Sequence, residues 1–336
     1  MTFKEFRHTL GRFLRIKKYL TKIEHGETLD IGKLLDDKSD VSPVTVSPNH
    51  SHNCHSDSPP VVTMSNFGRN GRFGNQLFQY TFLSLVARRQ SASLQLPAWA
   101  GAGLFGLPTV SRHNSSMVVT KERNMTISDL VNLMRVPSEN FAGIDYDGHA
   151  QLHTSCYAPD KDFIRSLFIF DLRLGKFLKE ALSNLGLAQK KIIAIHLRRG
   201  DYGYNQYFRA PCSWYEKWIN ESAYSPTEYI IYICSESPQK YRKRFPGFTV
   251  ITADDLKCPA PLAPYFDFMI MTLADALATS NSSFSFFASM LNTKTTQFFR
   301  PDFDKLSLVQ FDPWSADPLL IKELSLTQHK YLKSID

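Results

Sequence analysis

The residue types best suited to chemistry lie in one short run, Ile195-His196-Leu197-Arg198-Arg199-Gly200-Asp201-Tyr202. The β-branched stretch Ile192–Leu197 reads as a buried parallel strand, and the charged residues fall just past its end. In open α/β sheets, ligands bind outside the carboxyl ends of the strands. Two adjacent arginines there would clamp a diphosphate, because a guanidinium matches phosphate oxygens in pairs. They would also stabilise the charge that builds on a departing nucleoside diphosphate. Asp201 can orient an arginine or a hydroxyl. The bland alternative is a surface loop with a local Arg–Asp ion pair, worth little. Convergence of several polar groups after one buried strand favours the binding reading.

Two further runs carry polar groups at turns. Gly68-Arg-Asn-Gly71-Arg-Phe-Gly74-Asn75-Gln76 sits between an expected strand and an expected helix, where glycines let the backbone approach a ligand and a helix end offers free N–H groups. The spacing fits neither the dinucleotide fingerprint nor a Walker A loop. A tight turn with no ligand explains it on local grounds. Asp267-Phe268-Met-Ile-Met271 is followed by Thr279-Ser280-Asn281-Ser282-Ser283-Phe284-Ser285-Phe286-Phe287. Ser and Asn are strong N-caps, and the same hydroxyls and amides bind phosphate. Capping alone stays open as the alternative.

The elements that must position these runs follow from hydrophobic period. Val61–Ser65 reads as a buried strand, Asn75–Arg89 as a helix and Ser93–Leu96 as a strand, with helices near 126–135 and 160–186. From Lys190 the alternation is clear. Strands are expected at Ile192–Leu197, Glu228–Cys234, Thr249–Thr252, Ala278–Ser280 and Thr295–Phe299. Helices are expected at Ser213–Ala223, Pro238–Phe245, Tyr265–Leu277 and Ser283–Leu291. Such alternation means an α/β fold, here two Rossmann-like halves with a cleft between them. The expected division is 1–60 as front end, 61–189 and 190–310 as the two halves, and 311–336 as a helical tail.

The chain has 336 residues, 43% hydrophobic and 13% aromatic, enough to bury a core. Net charge is +7, which suits nucleic acid, anionic lipid or phosphorylated ligands. The basic excess concentrates in residues 1–24, where Phe3, Phe6, Leu10, Phe13, Ile16, Leu20 and Ile23 form one apolar helical stripe. This is expected to lie on an anionic membrane surface or to pack on a protein. No stripe of aromatics interleaved with Lys and Arg marks the folded part, so nucleic acid is the disfavoured partner. Residues 37–60, rich in Ser, Pro, Asp and His, read as a linker. Its His50, His52, Cys54 and His55 fit no structural metal site. Five cysteines at wide spacing argue against a disulfide framework. With no run of apolar residues long enough to span a bilayer and no leader-like apolar region, the expected location is cytoplasmic or peripheral on a membrane.

The three motifs, taken in chain order, resemble those of the α-1,2-fucosyltransferase family over roughly residues 61–300. The family's G-x-x-G-N-Q-x-F-Q-Y segment reads here from Gly71 to Tyr80. Its H-x-R-R-G-D-Y reads from His196 to Tyr202. Its Asp-Phe-x-x-Met helix and S-N-S-[ST]-F-S-W-W run read at Asp267–Met271 and Ser280–Phe287. The resemblance implies a GT-B-like fold, GDP-fucose as donor, an oligosaccharide or glycoconjugate acceptor, inversion at the sugar and no required metal. Arg198 corresponds to the essential diphosphate arginine, with Arg199 assisting and His196 and Asp201 shaping the pocket. Asn281, Ser282 and Ser283 correspond to the β-phosphate cap, with Phe284 expected beside them among the donor-binding residues. Glu236 stands where a ribose or base contact is expected, and Asn75 and Gln76 would face the cleft from the acceptor side. The general base is expected to be Asp201 or His196. A different donor sugar or acceptor on the same fold is the nearest alternative. Two departures, Phe286-Phe287 in place of paired tryptophans and an acidic Asp275, are expected close to the donor pocket.

Overall fold

The computed structural model describes residues 31–34, 59–110, 117–321 and 323–336. The stripe of residues 1–24, nearly all of the expected linker, and its histidines and Cys54 lie outside the described residues.

The described chain folds around two sheets. The first has four parallel strands in the order β2-β1-β4-β3: β1 (Val61–Thr63), β2 (Ser93–Gln95), β3 (Val119–Lys121) and β4 (Ile144–Asp147). Helix α1 (Phe73–Arg89) connects β1 to β2, and α2 (Ala100–Phe105) and α3 (Ile127–Arg135) follow in turn. Two helices, α4 (Lys161–Leu167) and α5 (Leu172–Asn184), lead to the second sheet. The expected single helix at 160–186 is broken where Asp171 leaves helical geometry to cap α5, accepting the Arg173 N–H at 2.8 Å.

The second sheet has six strands, ordered β10-β9-β8-β5-β6-β7. They are β5 (Lys191–Leu197), β6 (Tyr229–Ser235), β7 (Thr249–Ile251), β8 (Ala276–Ala278), β9 (Phe298–Asp302) and β10 (Ser307–Gln310). Only β10 runs antiparallel. Helices α6 (Cys212–Glu221), α7 (Ala263–Leu273) and α8 (Ser283–Leu291) make the crossovers, with a 3₁₀ stretch at Pro238–Arg244 where a helix was expected. The chain is therefore α/β with two parallel, Rossmann-like sheets.

β5 and β6 are buried on both faces, and the period of two sorts their side chains. Ile193, Ile195 and Leu197, with Ile231 and Ile233, face a core shared with Trp214, Tyr215 and Trp218 of α6. Ile192 and Ala194, with Ile230, Tyr232 and Cys234, face the other way. That second core continues without a break into the first sheet through Val62, Leu77, Phe78, Phe82 and Tyr146. The two halves thus share one apolar core, and the expected open cleft is confined to the rim where the strands end.

Three other expectations change. The helix expected at Tyr265–Leu277 stops at Leu273, because Asp275 turns to accept the Ile192 N–H at 2.8 Å and Ala276–Ala278 joins the sheet as β8. Asp275 therefore sits at the amino end of the sheet, opposite the motif residues, and not beside the donor pocket. The 311–336 tail is helical only over α9 (Leu326–Ser334). Its preceding segment straps both halves together, since Ala316 exchanges hydrogen bonds with Thr154 and the Leu320 backbone with Asn281. The four described cysteines are free thiols. No helix among the described residues is long and apolar enough to cross a membrane.

Candidate active site

From β5 the chain moves to β6 and β7 on one side, then returns through α7 to β8 on the other. The crossovers diverge between β5 and β8, which leaves a crevice at their carboxyl ends. The loops leaving those two strands are the two motifs, 198–202 and 279–283. They meet through side chains. His196 Nδ1 and Ser280 Oγ are hydrogen bonded at 2.8 Å. The Tyr202 hydroxyl faces the Ser282 side chain. The Arg198 guanidinium lies 5.2 Å from the centre of the Tyr202 ring. Tyr202 thereby lies between the strand-end arginine and the serine that caps α8.

Arg198 donates through one terminal amino group to Glu236 and through the other to Asp201. Its side chain is 14% exposed, and its buried Nε has no hydrogen-bond partner among the described residues. The second Asp201 oxygen accepts from Arg72 at 2.6 Å. Arg72 comes from the glycine-rich turn of the first sheet, so one carboxylate holds an arginine from each half. The four side chains, two cationic and two anionic, form a continuous line across the rim. Gly200 adopts a positive φ of 25°, and a Cβ there would lie 3.1 Å from a Glu236 oxygen. The glycine lets the loop fold down over Glu236, which also accepts the Arg199 N–H at 3.0 Å.

The glycine turn has its own steric logic. Gly74 opens α1 directly against the start of α8. A Cβ on Gly74 would lie 2.5 Å from the Phe284 nitrogen and 2.7 Å from its Cα. Asn75 Oδ1 accepts from Ser283 Oγ at 2.6 Å and from Gln151 Nε2 at 2.9 Å. Phe73 packs edge-on to Tyr265 at 5.1 Å and Phe268 at 5.3 Å, and lies 6.2 Å from Phe284. The glycine-rich run and the Ser280–Phe287 run thus weld the amino ends of two helices, one from each half. Gln76 is half-buried beneath this turn, 3.8 Å from where a Gly68 Cβ would be.

Several expected roles do not match the geometry. Arg199 does not pair with Arg198 on the crevice. Its side chain is 7% exposed and turns inward, donating to Asp336 at 2.6 Å, Tyr241 at 2.8 Å and the Arg198 carbonyl at 3.0 Å. The second guanidinium at the rim is Arg72. Asn281 is 3% exposed, and both ends of its amide pair with the Leu320 backbone at 2.8 Å, which commits the side chain to the strap segment rather than to the crevice. Ser282 and Ser283 are buried between the welded helices. Glu236 is committed to Arg198 and the Arg199 N–H. His196 is 5% exposed behind Ser280 and Phe284, so it does not line the rim as a base would. Burial pushes its pKa down to about 4, against the pull of the Glu236 carboxylate. Phe286 and Phe287 are core residues, Phe287 meeting Phe78 at 4.9 Å and Phe168 at 5.2 Å.

Arg72 and Tyr202, which stand at the rim with Arg198, lie inside the glycine-rich run and the H-x-R-R-G-D-Y run, where residue type and spacing alone do not set them apart from their neighbours. Among the described residues no cluster of His, Cys, Asp and Glu could hold a metal ion.

No protein-family model matches the chain, and no curated protein matches it. Among solved structures it is similar to the NodZ alpha-1,6-fucosyltransferase co-crystallised with GDP, at 13% identity over 76% of this chain and 99% of that one, with a TM-score of 0.49. Fucosyltransferase NodZ from Bradyrhizobium matches at 12% identity over 77% and 100% of the two chains, TM-score 0.47. An arginine-to-lysine mutant of Arabidopsis thaliana FUT1 in complex with GDP matches at 11% identity over 78% and 74%, TM-score 0.40.

Proposed function

We propose that this chain is a glycosyltransferase that moves fucose from GDP-fucose to a sugar hydroxyl with inversion, the 2-position of a galactoside being the acceptor its motifs resemble. The observation that carries the reading is the bridge Arg72–Asp201–Arg198 at the switch point of the second sheet. Two arginines from opposite halves converge on one anionic group at the place where open α/β sheets take their ligands. A diphosphate presents more acceptor oxygens than a carboxylate and would draw both guanidiniums in bidentate fashion. The three motifs of this chain supply the donor identity by resemblance, and the bridge supplies a geometry suited to it.

In this reading the acceptor oxygen attacks the anomeric carbon as the bond to GDP breaks. Negative charge grows on the β-phosphate, where Arg198 and Arg72 offset it. Asp201, 60% exposed in its side chain and released from the arginines by the donor, accepts the hydroxyl proton. His196 stays neutral and holds the Ser280 loop. The positive charge comes from the arginines, so the reaction asks for no metal. Residues 1–24 are proposed to bring the enzyme to an anionic membrane surface carrying its acceptor.

A transfer assay tests this. Labelled GDP-fucose, GDP-mannose and UDP-galactose are each offered with free galactosides and glycolipid acceptors. Fucosylated galactoside from GDP-fucose alone is the expected product. Transfer from another donor, or a different linkage, would move the chain to a different specificity on the same site. No transfer from any donor would remove the reading.

A further inference from the structure

A buried cluster of charged groups lies behind the rim, around Asp336. The Asp336 side chain is 5% exposed. It accepts from Arg199 at 2.6 Å, from Arg209, and from the Cys212 N–H at 2.8 Å, while its main-chain oxygen accepts from Arg244. Arg199 in turn donates to the Arg198 carbonyl at 3.0 Å, and its own N–H meets the Glu236 carboxylate that holds Arg198. An unbroken path therefore runs from Asp336 through a buried guanidinium to the main chain that carries Arg198. A buried arginine that loses its carboxylate is an uncompensated charge and must move or draw in water.

The same terminal segment holds the rest of that loop. His329 Nε2 and the Asn205 carbonyl are hydrogen bonded at 2.8 Å. Lys333 Nζ lies 3.9 Å from the centre of the Tyr204 ring, and Leu332 is fully buried. Gly203, at φ 94°, passes so close that a Cβ would be 2.7 Å from Lys333 Cε. The loop from Arg198 to Arg209 is thus gripped at both ends by Asp336 and in its middle by α9.

We propose that Asp336 is a positioning residue for the loop that carries Arg198, acting through Arg199 and Arg209. Its link to donor binding rests on the fucosyltransferase reading of Arg198; its link to the loop does not.

Two measurements on the full chain separate these. Isothermal calorimetry with GDP reads donor affinity, and hydrogen exchange by mass spectrometry reads the amides of residues 200–208, with those of β1 and α1 as internal control. Both are run well below the thermal midpoint of every variant. Asp336→Asn should weaken GDP binding at least about tenfold and raise exchange in 200–208 with the control amides unchanged. Asp336→Glu, which restores the charge one methylene further out, should recover most of the affinity and protection. If wild type fails to bind GDP while the exchange pattern is as expected, the donor reading falls and the positioning of the loop stands. If Asp336→Asn lowers only the thermal midpoint, with GDP affinity and loop exchange unchanged, the positioning role is overturned. Should Asp336→Asn not fold, Arg209→Gln, which removes one of the two arginines Asp336 holds, takes its place: a few-fold loss of affinity with faster loop exchange supports the proposal, and wild-type values in both overturn it.

Discussion

At the scale of single residues, charge state and burial decide what each motif residue can do. His196 is the clearest case. Its folded pKa is near 4 because burial penalises the imidazolium, whereas an unfolded histidine titrates near the ordinary value of 6.5. Its neutral form therefore stabilises the fold fully above that ordinary value. The contribution is lost as pH falls toward 4, since the unfolded chain takes up a proton that the folded one refuses. Unfolding in urea should show a loss of roughly 2 kcal/mol between pH 7 and pH 5 from this group, on the order of 1.4 kcal/mol per unit. In His196→Gln that part of the slope should vanish; an unchanged slope would contradict the assigned burial. The motif H-x-R-R-G-D-Y was legible as a strand end followed by polar groups. What it concealed was direction. Side chains alternate about a strand and diverge once it ends, so Arg198 and Arg199, neighbours in sequence, point to the rim and to the core. Asn281 misled for a related reason. An amide that can cap a phosphate can equally bind a passing backbone, and Leu320, 39 residues on, was not visible as its partner.

At the scale of elements, periodic hydrophobicity carried the second sheet well. β5, β6 and β7 fall within a residue or two of expectation, because strands buried on both faces read as continuous apolar runs. β4 does not read as a strand because its sequence, Ile-Asp-Tyr-Asp, spends both acids on the chain leaving β1: Asp145 accepts the Ser65 N–H, and Asp147 accepts from Asn66 and from Asn70 of the glycine turn. β8 was set two residues late because apolar α7 runs into it with only Ala274-Asp275 between. The glycine run was readable as a site of close approach, but its neighbour proves to be another helix. That yields a paired prediction. Gly74→Ala places a methyl group inside van der Waals contact of the Phe284 backbone, which cannot rotate away, and should cost about 1–3 kcal/mol or more. Gly175→Ala, within α5 and with nothing within 4 Å of the new methyl, should stabilise by about 0.5–1 kcal/mol. Denaturant midpoints of the two variants check both signs; a neutral Gly74→Ala would show the helices meeting elsewhere.

At the scale of the whole molecule, the sequence foretold two α/β halves but not how closely they join. A single apolar core passes from the first sheet to one face of the second, and the segment around Ala316–Leu320 ties both. Unfolding should therefore be one cooperative transition, coincident by tryptophan fluorescence and far-ultraviolet circular dichroism. Two separated transitions would mean that the halves are independent. The shared core also confines ligand chemistry to the rim, where Arg72 and Arg198 meet on Asp201. Isothermal calorimetry of GDP against the wild-type chain and Arg198→Ala tests that placement most directly. The account predicts saturable one-site binding to wild type and a loss of at least about a hundredfold in a variant that still folds, in keeping with removal of a charged phosphate ligand. Equal GDP affinity in the two proteins, or no binding by wild type, would contradict it.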